Sequence, residues 1–385
     1  MRFSERTAWD LGENVFAGRL REARAAGREL LDLTVSNPTA CGFAYDVRAL
    51  LAPLSEPAAL LYEPAPLGME SARAAVAAYY RDLGVEVGLD RLCLTTSTSE
   101  AYSYLFRLLC NPGDEVLAAS PSYPLFDYIA RLDDVRLVEY PLLYHDGWQI
   151  DLHALEAAIT PRTRAVIVVH PNNPTGHFCS AAEREAVQKL CAERGVALIV
   201  DEVFLDYALP GIGAQSFVAG SSQALTFVLS GLSKVCALPQ MKCSWIATVG
   251  PEADVQTATA RLEMIADTFL SMNAPVQHAL PMWLASRHDV QGQIRARMAE
   301  NLSALDRALM GSSCERLEMG GGWTAILRVP RTVGGVDFAE AALAAGVIVQ
   351  PGEFYGLPEG RVVLSLLTPP EVWRAGIQVL SKIGC

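Results

Sequence analysis

Ala165-Val166-Ile167-Val168-Val169-His170-Pro171-Asn172-Asn173-Pro174-Thr175-Gly176 is followed downstream by Val196-Ala197-Leu198-Ile199-Val200-Asp201-Glu202-Val203-Phe204. Each stretch opens on an unbroken apolar run of strand length. Such runs are the mark of strands buried on both faces of a parallel sheet. The segment between them, from Ser180 to Arg194, is rich in Ala, Glu, Leu and Lys at helical spacing. Strand, helix and strand make a β-α-β unit, and each strand ends in polar residues at its carboxyl end. In open α/β sheets that end is where ligands bind. Asn173 and Asp201 are therefore expected at neighbouring strand ends. A plainer reading also stands: Asn173-Pro174 as a turn, and Asp201-Glu202 as an ordinary strand terminus.

Further along, Ser230-Gly231-Leu232-Ser233-Lys234 precedes Val235-Cys236-Ala237-Leu238-Pro239-Gln240-Met241-Lys242. A lysine after a short strand suits Schiff-base chemistry with an aldehyde cofactor, with the second cation holding that cofactor's phosphate. The amine must be desolvated or near other positive charge, so that part of it is unprotonated at neutral pH. Taken alone, a lysine in this position reads more readily as a solvated loop charge. Upstream, Arg91-Leu92-Cys93-Leu94-Thr95-Thr96 reads as a short strand and Ala101 to Cys110 as a helix. Ser97-Thr98-Ser99 between them are good helix caps. The same geometry aims backbone N–H groups and the positive end of a helix dipole at an anion.

Asn-Pro-Thr-Gly, then Asp-Glu-Val, then the serine-rich turn to Lys234, in that order, resembles the class I/II aminotransferases, pyridoxal-phosphate (PLP) enzymes of fold type I. The resemblance runs from about Leu31 to the C-terminus. It implies a mostly parallel central sheet sandwiched by helices, with a smaller α+β domain. It implies that Lys234 is the Schiff-base lysine and proton shuttle, that Asp201 pairs with the pyridine nitrogen and keeps it protonated, and that Asn173 donates to the phenolic oxygen. Tyr123, in Ser120-Pro121-Ser122-Tyr123-Pro124, would stack on the ring. Ser97, Thr98, Ser99 and Lys242 would bind the phosphate, Lys242 as a point charge where the family usually has arginine. Tyr62, in Tyr62-Glu63-Pro64-Ala65-Pro66-Leu67-Gly68, matches a tyrosine that reaches the phosphate from the other subunit, which implies a homodimer with shared sites.

The chain departs from the pattern in several places. Phe204 stands where most members have a tyrosine, so the phenolic oxygen loses a donor. Gly231 occupies a position that is often a phosphate-binding serine, with Ser230 adjacent. In Gly360-Arg361-Val362-Val363-Leu364-Ser365, Val363 sits where an arginine normally holds the substrate carboxylate. Arg361 lies on the same face of that strand and is the candidate replacement. Ser36 and Asn37, in Leu33-Thr34-Val35-Ser36-Asn37-Pro38-Thr39, and Asn173 again, complete the candidate substrate site. Gly320-Gly321-Gly322-Trp323 and Pro351-Gly352-Glu353-Phe354 match small-domain loops that face the site, and Glu353 there is a candidate partner for a cationic group on the substrate.

The whole-chain properties agree. A chain of 385 residues, 51% hydrophobic and 19% charged, has ample core for one large and one smaller domain. We expect a large PLP-binding domain at 45–275 and a small domain from 1–44 and 276–385. A net charge of −12 argues against nucleic-acid or anionic-membrane partners. The 9 cysteines include no C-x-x-C pair and read as reduced thiols in a cytoplasmic protein. No metal site is expected. The first residues lack the apolar core of a signal peptide, and no run is long enough to span a membrane. Transamination between an amino acid and a 2-oxo acid is the expected activity. The alternatives are a PLP-dependent lyase, cyclase or replacement enzyme on the same scaffold, and a PLP-binding regulator, a class in which a helix-turn-helix module would be expected ahead of the domain, where this acidic sequence has 44 residues.

Overall fold

The computed structural model describes residues 1–330 and 333–383. Its central sheet has eight strands: β1 (Leu92–Thr95), β2 (Glu115–Ser120), β3 (Arg136–Tyr144), β4 (Trp148–Ile150), β5 (Thr163–Val169), β6 (Ala197–Asp201), β7 (Thr226–Gly231) and β8 (Ser244–Val249). Their spatial order is β1-β8-β7-β6-β5-β2-β3-β4. The central run from β7 to β3 is parallel, while β8 and β4 run antiparallel to their neighbours.

The apolar runs account for this. Alternate residues of each strand enter different cores: Val166, Val168, Leu198 and Val200 on one face, Ala165, Ile167, Ala197 and Ile199 on the other. Helices Glu70–Asp82, Ala181–Arg194 and Ala274–Ala285 cover the first face. Helices Leu125–Leu132, Glu252–Phe269 and α1 (Thr98–Leu109) cover the second. The helix between β5 and β6 starts at a capping box. Ser180 Oγ accepts the Glu183 N–H at 3.2 Å, and Glu183 accepts the Ser180 N–H at 2.8 Å. It ends at Gly195 in the left-handed region, φ 64°. These stops bring β6 back beside β5 with Val169 opposite Asp201. The strand order reverses between β2 and β5, so the crevice at their carboxyl ends is the expected ligand site.

A further core joins Phe16, Leu33 and Phe43 to residues between Val290 and Leu380, around a four-stranded sheet that contains Thr324–Arg328 and Arg361–Ser365. The chain leaves the first core later than residue 275, because Val276, Leu280 and Trp283 belong to that core. The first residues also lie on the large unit: Arg6 pairs with Asp134 and Trp9 packs on Tyr128. Among the described residues no helix is long and apolar enough to cross a membrane, and no cluster of metal-ligating side chains occurs. Seven described cysteines are free. Cys314 is disulfide-bonded, which departs from the expectation that all are reduced.

The two units are tied at the Asn172–Gly176 turn. Gly320 N–H donates to Gly176 O at 2.9 Å, and Gly322 N–H donates to Tyr207 O at 3.0 Å. Gly176 has φ 69°, and a Cβ there would stand 2.5 Å from Gly321 O and 2.8 Å from Met319 Cβ. Both conformation and space therefore demand glycine. Gly176→Ala should cost about 2–4 kcal/mol, combining left-handed strain with overlap against backbone. Urea unfolding measures this, and a variant as stable as the parent would mean that the turn and the 320–322 loop separate freely.

Candidate active site

Between the carboxyl ends of the sheet and the second core lies a cavity of about 410 Å³. Lys234, Asp201, Asn173, Tyr123, Phe204 and Ser36 line it, as do Ser97, Thr98, Ser99 and Lys242. A more open depression of about 710 Å³ around Arg6, Asp127 and Arg131 gathers none of these residues.

Asp201 closes β6 and is 7% exposed. Val203 N–H donates to its Oδ1 and the Tyr102 hydroxyl to its Oδ2, each at 3.1 Å. Burial raises its pKa to about 6, against the opposing pull of these bonds and of the Lys234 charge. Lys234 sits in a short helix directly after β7. Its Nζ lies 5.3 Å from the ring centre of Trp323 and 5.6 Å from that of Phe204. Burial lowers its pKa, with the Asp201 charge opposing. Burial thus shifts both groups toward their neutral forms, the direction that favours proton exchange at an acid–base site.

The Phe204 ring packs edge-on against Trp323, with centroids 5.3 Å apart. Tyr207 does not replace the missing hydroxyl, because its own donates to the Lys234 carbonyl at 2.7 Å. Asn173 keeps a buried Oδ1 with no partner in the protein. Thr324 Oγ1 donates to Pro174 O at 2.8 Å and holds this turn against the second unit.

At the other end of the cavity, Ser97 caps α1, its Oγ accepting the Glu100 N–H at 3.1 Å. Glu100 in turn accepts from Thr96 N–H at 2.6 Å and from the Ser271 hydroxyl at 2.9 Å, which fixes the turn. The first-turn N–H groups of a helix have no partners inside it, and those of α1 border the cavity. Lys242 is exposed and brings its charge to the same end.

Three expected residues stand elsewhere. Asn37 Oδ1 accepts from Thr39 N–H at 3.1 Å and from its hydroxyl at 2.8 Å, so its amide caps its own turn. Arg361 donates to Pro358 O at 3.1 Å and Glu359 O at 2.9 Å, and faces a separate depression that it shares with Arg328 and Glu353. Val363, on the same face, is buried against Leu317, Ile326 and Leu357. Arg361 does not line the cavity, and among the described residues no arginine does. Tyr62 is 79% exposed and lines a different cleft, with Leu61 and Leu270. Conversely, Tyr102, Ser244, Thr324 and Tyr355 line the cavity without having been singled out in the sequence.

The donor set fits pyridoxal phosphate at its phosphate, ring nitrogen and aldehyde. A helix N-terminus with a lysine suits the phosphate, a buried carboxylate suits the ring nitrogen, and a desolvated amine suits the aldehyde. The class I and II aminotransferase model matches residues 54–376. The chain belongs to that family, and the family is pyridoxal-phosphate-dependent. Over 266 residues it is 29% identical to the glutamate-pyruvate aminotransferase AlaA of Escherichia coli K12, a match covering 69% of this chain and 65% of that protein. Over 272 residues it is 30% identical to the alanine aminotransferase of Mycobacterium tuberculosis, covering 69% and 63%. The match thus spans just under two thirds of the length of these relatives. The alanine aminotransferase structure from Pyrococcus furiosus superposes with a TM-score of 0.88 at 22% identity, covering 99% of both chains. A Thermus thermophilus aspartate aminotransferase double mutant gives 0.87 at 23%, covering 100% of both. These two share the fold.

Asp201 has a pH signature in the cofactor-free protein. Its folded pKa of about 6 lies above the ordinary 3.8, so folding takes up a proton between those values. Stability falls as pH rises through that window and the cost is fully present above it. Asp201→Asn removes the titration. Its stability relative to wild type should rise by up to about 3 kcal/mol between pH 4 and 7. Unfolding of both cofactor-free proteins across that range decides it, and a pH-independent difference would mean that Asp201 is solvated.

Proposed function

We propose that the chain is an aminotransferase that moves an amino group between an amino acid and a 2-oxo acid, working in the cytoplasm as a homodimer. The observation that carries this reading is the meeting of a desolvated lysine and a buried carboxylate in one cavity, with a helix N-terminus at its far end.

When bound, pyridoxal phosphate supplies an aldehyde that takes up the amino group and a ring that accepts the electrons released at Cα. The residues do the rest. Ser97, Thr98, Ser99 and Lys242 hold the phosphate. Asp201 keeps a proton on the ring nitrogen, and Tyr102 with the Val203 N–H keeps Asp201 aimed. Tyr123 covers the ring face and Asn173 meets the phenolic oxygen. Lys234 would attach the cofactor and, once released, would be the base that carries the proton of the substrate Cα. Burial of Lys234 favours the neutral amine that this work needs. Ser36, Trp323 and Thr324 bring the second unit to the substrate side.

The purified protein mixed with single amino acids should convert its cofactor to the pyridoxamine form, and borohydride should fix the cofactor to the peptide containing Lys234. Attachment elsewhere would remove the assignment of Lys234. That no arginine among the described residues lines the cavity favours a second reading, in which the same scaffold runs elimination, replacement, cyclisation or decarboxylation. Ammonia or a rearranged product without the pyridoxamine form would select it.

The homodimer rests on an exposed apolar patch at the edge of the large unit, where Leu60 is 90%, Leu61 61%, Tyr62 79% and Leu270 66% exposed. Contiguous patches of this kind mark association surfaces. A Tyr62→Phe chain mixed with a Lys234→Ala chain should give activity above either alone, since one site of the mixed dimer is intact. No gain on mixing would remove the shared site.

A further inference from the structure

Gly231 ends β7 with φ 178°, extended backbone that any residue adopts. Its conformation does not ask for glycine, but its surroundings do. The antiparallel pairing of β7 with β8 sets it directly opposite Ser244. A Cβ on Gly231 would stand 2.3 Å from Ser244 Oγ and 2.9 Å from both Ser244 Cβ and the Cys243 carbonyl oxygen. The Ser244 hydroxyl thus occupies the space that a side chain at 231 would fill. Ser244 is 2% exposed and lines the cavity at the end where Ser97, Thr98 and Lys242 gather. Neighbouring hydroxyls are not equivalent. Ser230 lies one residue away in β7, so its side chain points to the opposite face, and it does not line the cavity. Thr95, the partner of Ser244 on β1, donates its hydroxyl to Ser97 O at 3.0 Å and is engaged in the turn.

We infer that Ser244 is a ligand of the cofactor's phosphate, delivering from β8 the hydroxyl that position 231 would otherwise supply from β7. The inference rests on the pyridoxal-phosphate reading. It adds a neutral donor to an end of the cavity that holds a single lysine and a helix N-terminus. A hydroxyl bonded to a charged oxygen is among the stronger hydrogen bonds.

The test compares two probes, pyridoxal phosphate and pyridoxal, which lacks the phosphate, by equilibrium dialysis against wild type and variants. Ser244→Ala should weaken pyridoxal phosphate by about 10- to 100-fold and leave pyridoxal within about twofold. Ser244→Cys, which keeps the volume and loses the strong donor, should behave alike. Gly231→Ser alone should lower both the melting temperature and the affinity, because two side chains then compete for one volume. Gly231→Ser with Ser244→Gly should return the affinity to within a few-fold of wild type. A folded Ser244 variant that keeps wild-type affinity, or that loses both probes equally, overturns the inference while the cofactor reading stands. A wild-type protein that binds neither probe overturns the cofactor reading and this inference with it.

Discussion

The Asp201 carboxylate is held where water scarcely reaches it, and the neighbouring parts of the site depend on that. A buried carboxylate is costly unless something compensates it. Here the backbone at Val203, the Tyr102 hydroxyl and the nearby Lys234 share that task. The same burial leaves Lys234 less protonated than an exposed lysine. Neither group would have this character on a surface. The sheet provides the burial, because β6 lies between β5 and β7 with both faces covered.

Much of this was legible in the chain. The apolar runs of β5 and β6 announce buried parallel strands, and Ser180 with Glu183 announces the helix between them. Asn173, Asp201 and Lys234 converge because they follow consecutive strands of one parallel sheet, and that is a property of local pattern. The phosphate turn is local too, with Ser97 at a helix start. What was not legible depends on which residues meet across long separations. Tyr102 reaches Asp201 across 99 positions, and its helical spacing marks it only as facing the sheet. Arg361 shares a face with Val363, as strand alternation requires, but alternation does not say which core that face meets. Asn37 and Asn173 both precede a proline. One amide closes on its own turn, whereas the other keeps an oxygen unpartnered at the cavity, and local sequence does not separate these outcomes.

The two units share the site through main-chain contacts as much as through side chains. The 320–322 loop bonds to the backbone at Gly176 and Tyr207, and Trp323 follows directly to face Lys234. Side-chain identity at the junction is therefore constrained mainly by what must be absent, a Cβ at Gly176 and at Gly321. The aromatic pair around Lys234 is positioned by these contacts and by its own edge-on packing.

The fit between Gly231 and Ser244 also bears on how such a chain changes over time. One volume is shared by two positions far apart in sequence, so neither drifts independently. Moving the hydroxyl from one strand to the other by single replacements passes through one of two intermediates. Serine at both positions overfills the space, and glycine at both leaves a small void and no hydroxyl. The void, at about 1 kcal/mol, is the milder defect in packing, so the less strained path of single replacements runs through glycine at both positions. A lineage that crossed it would be slow to return, since the reverse journey meets the same valley.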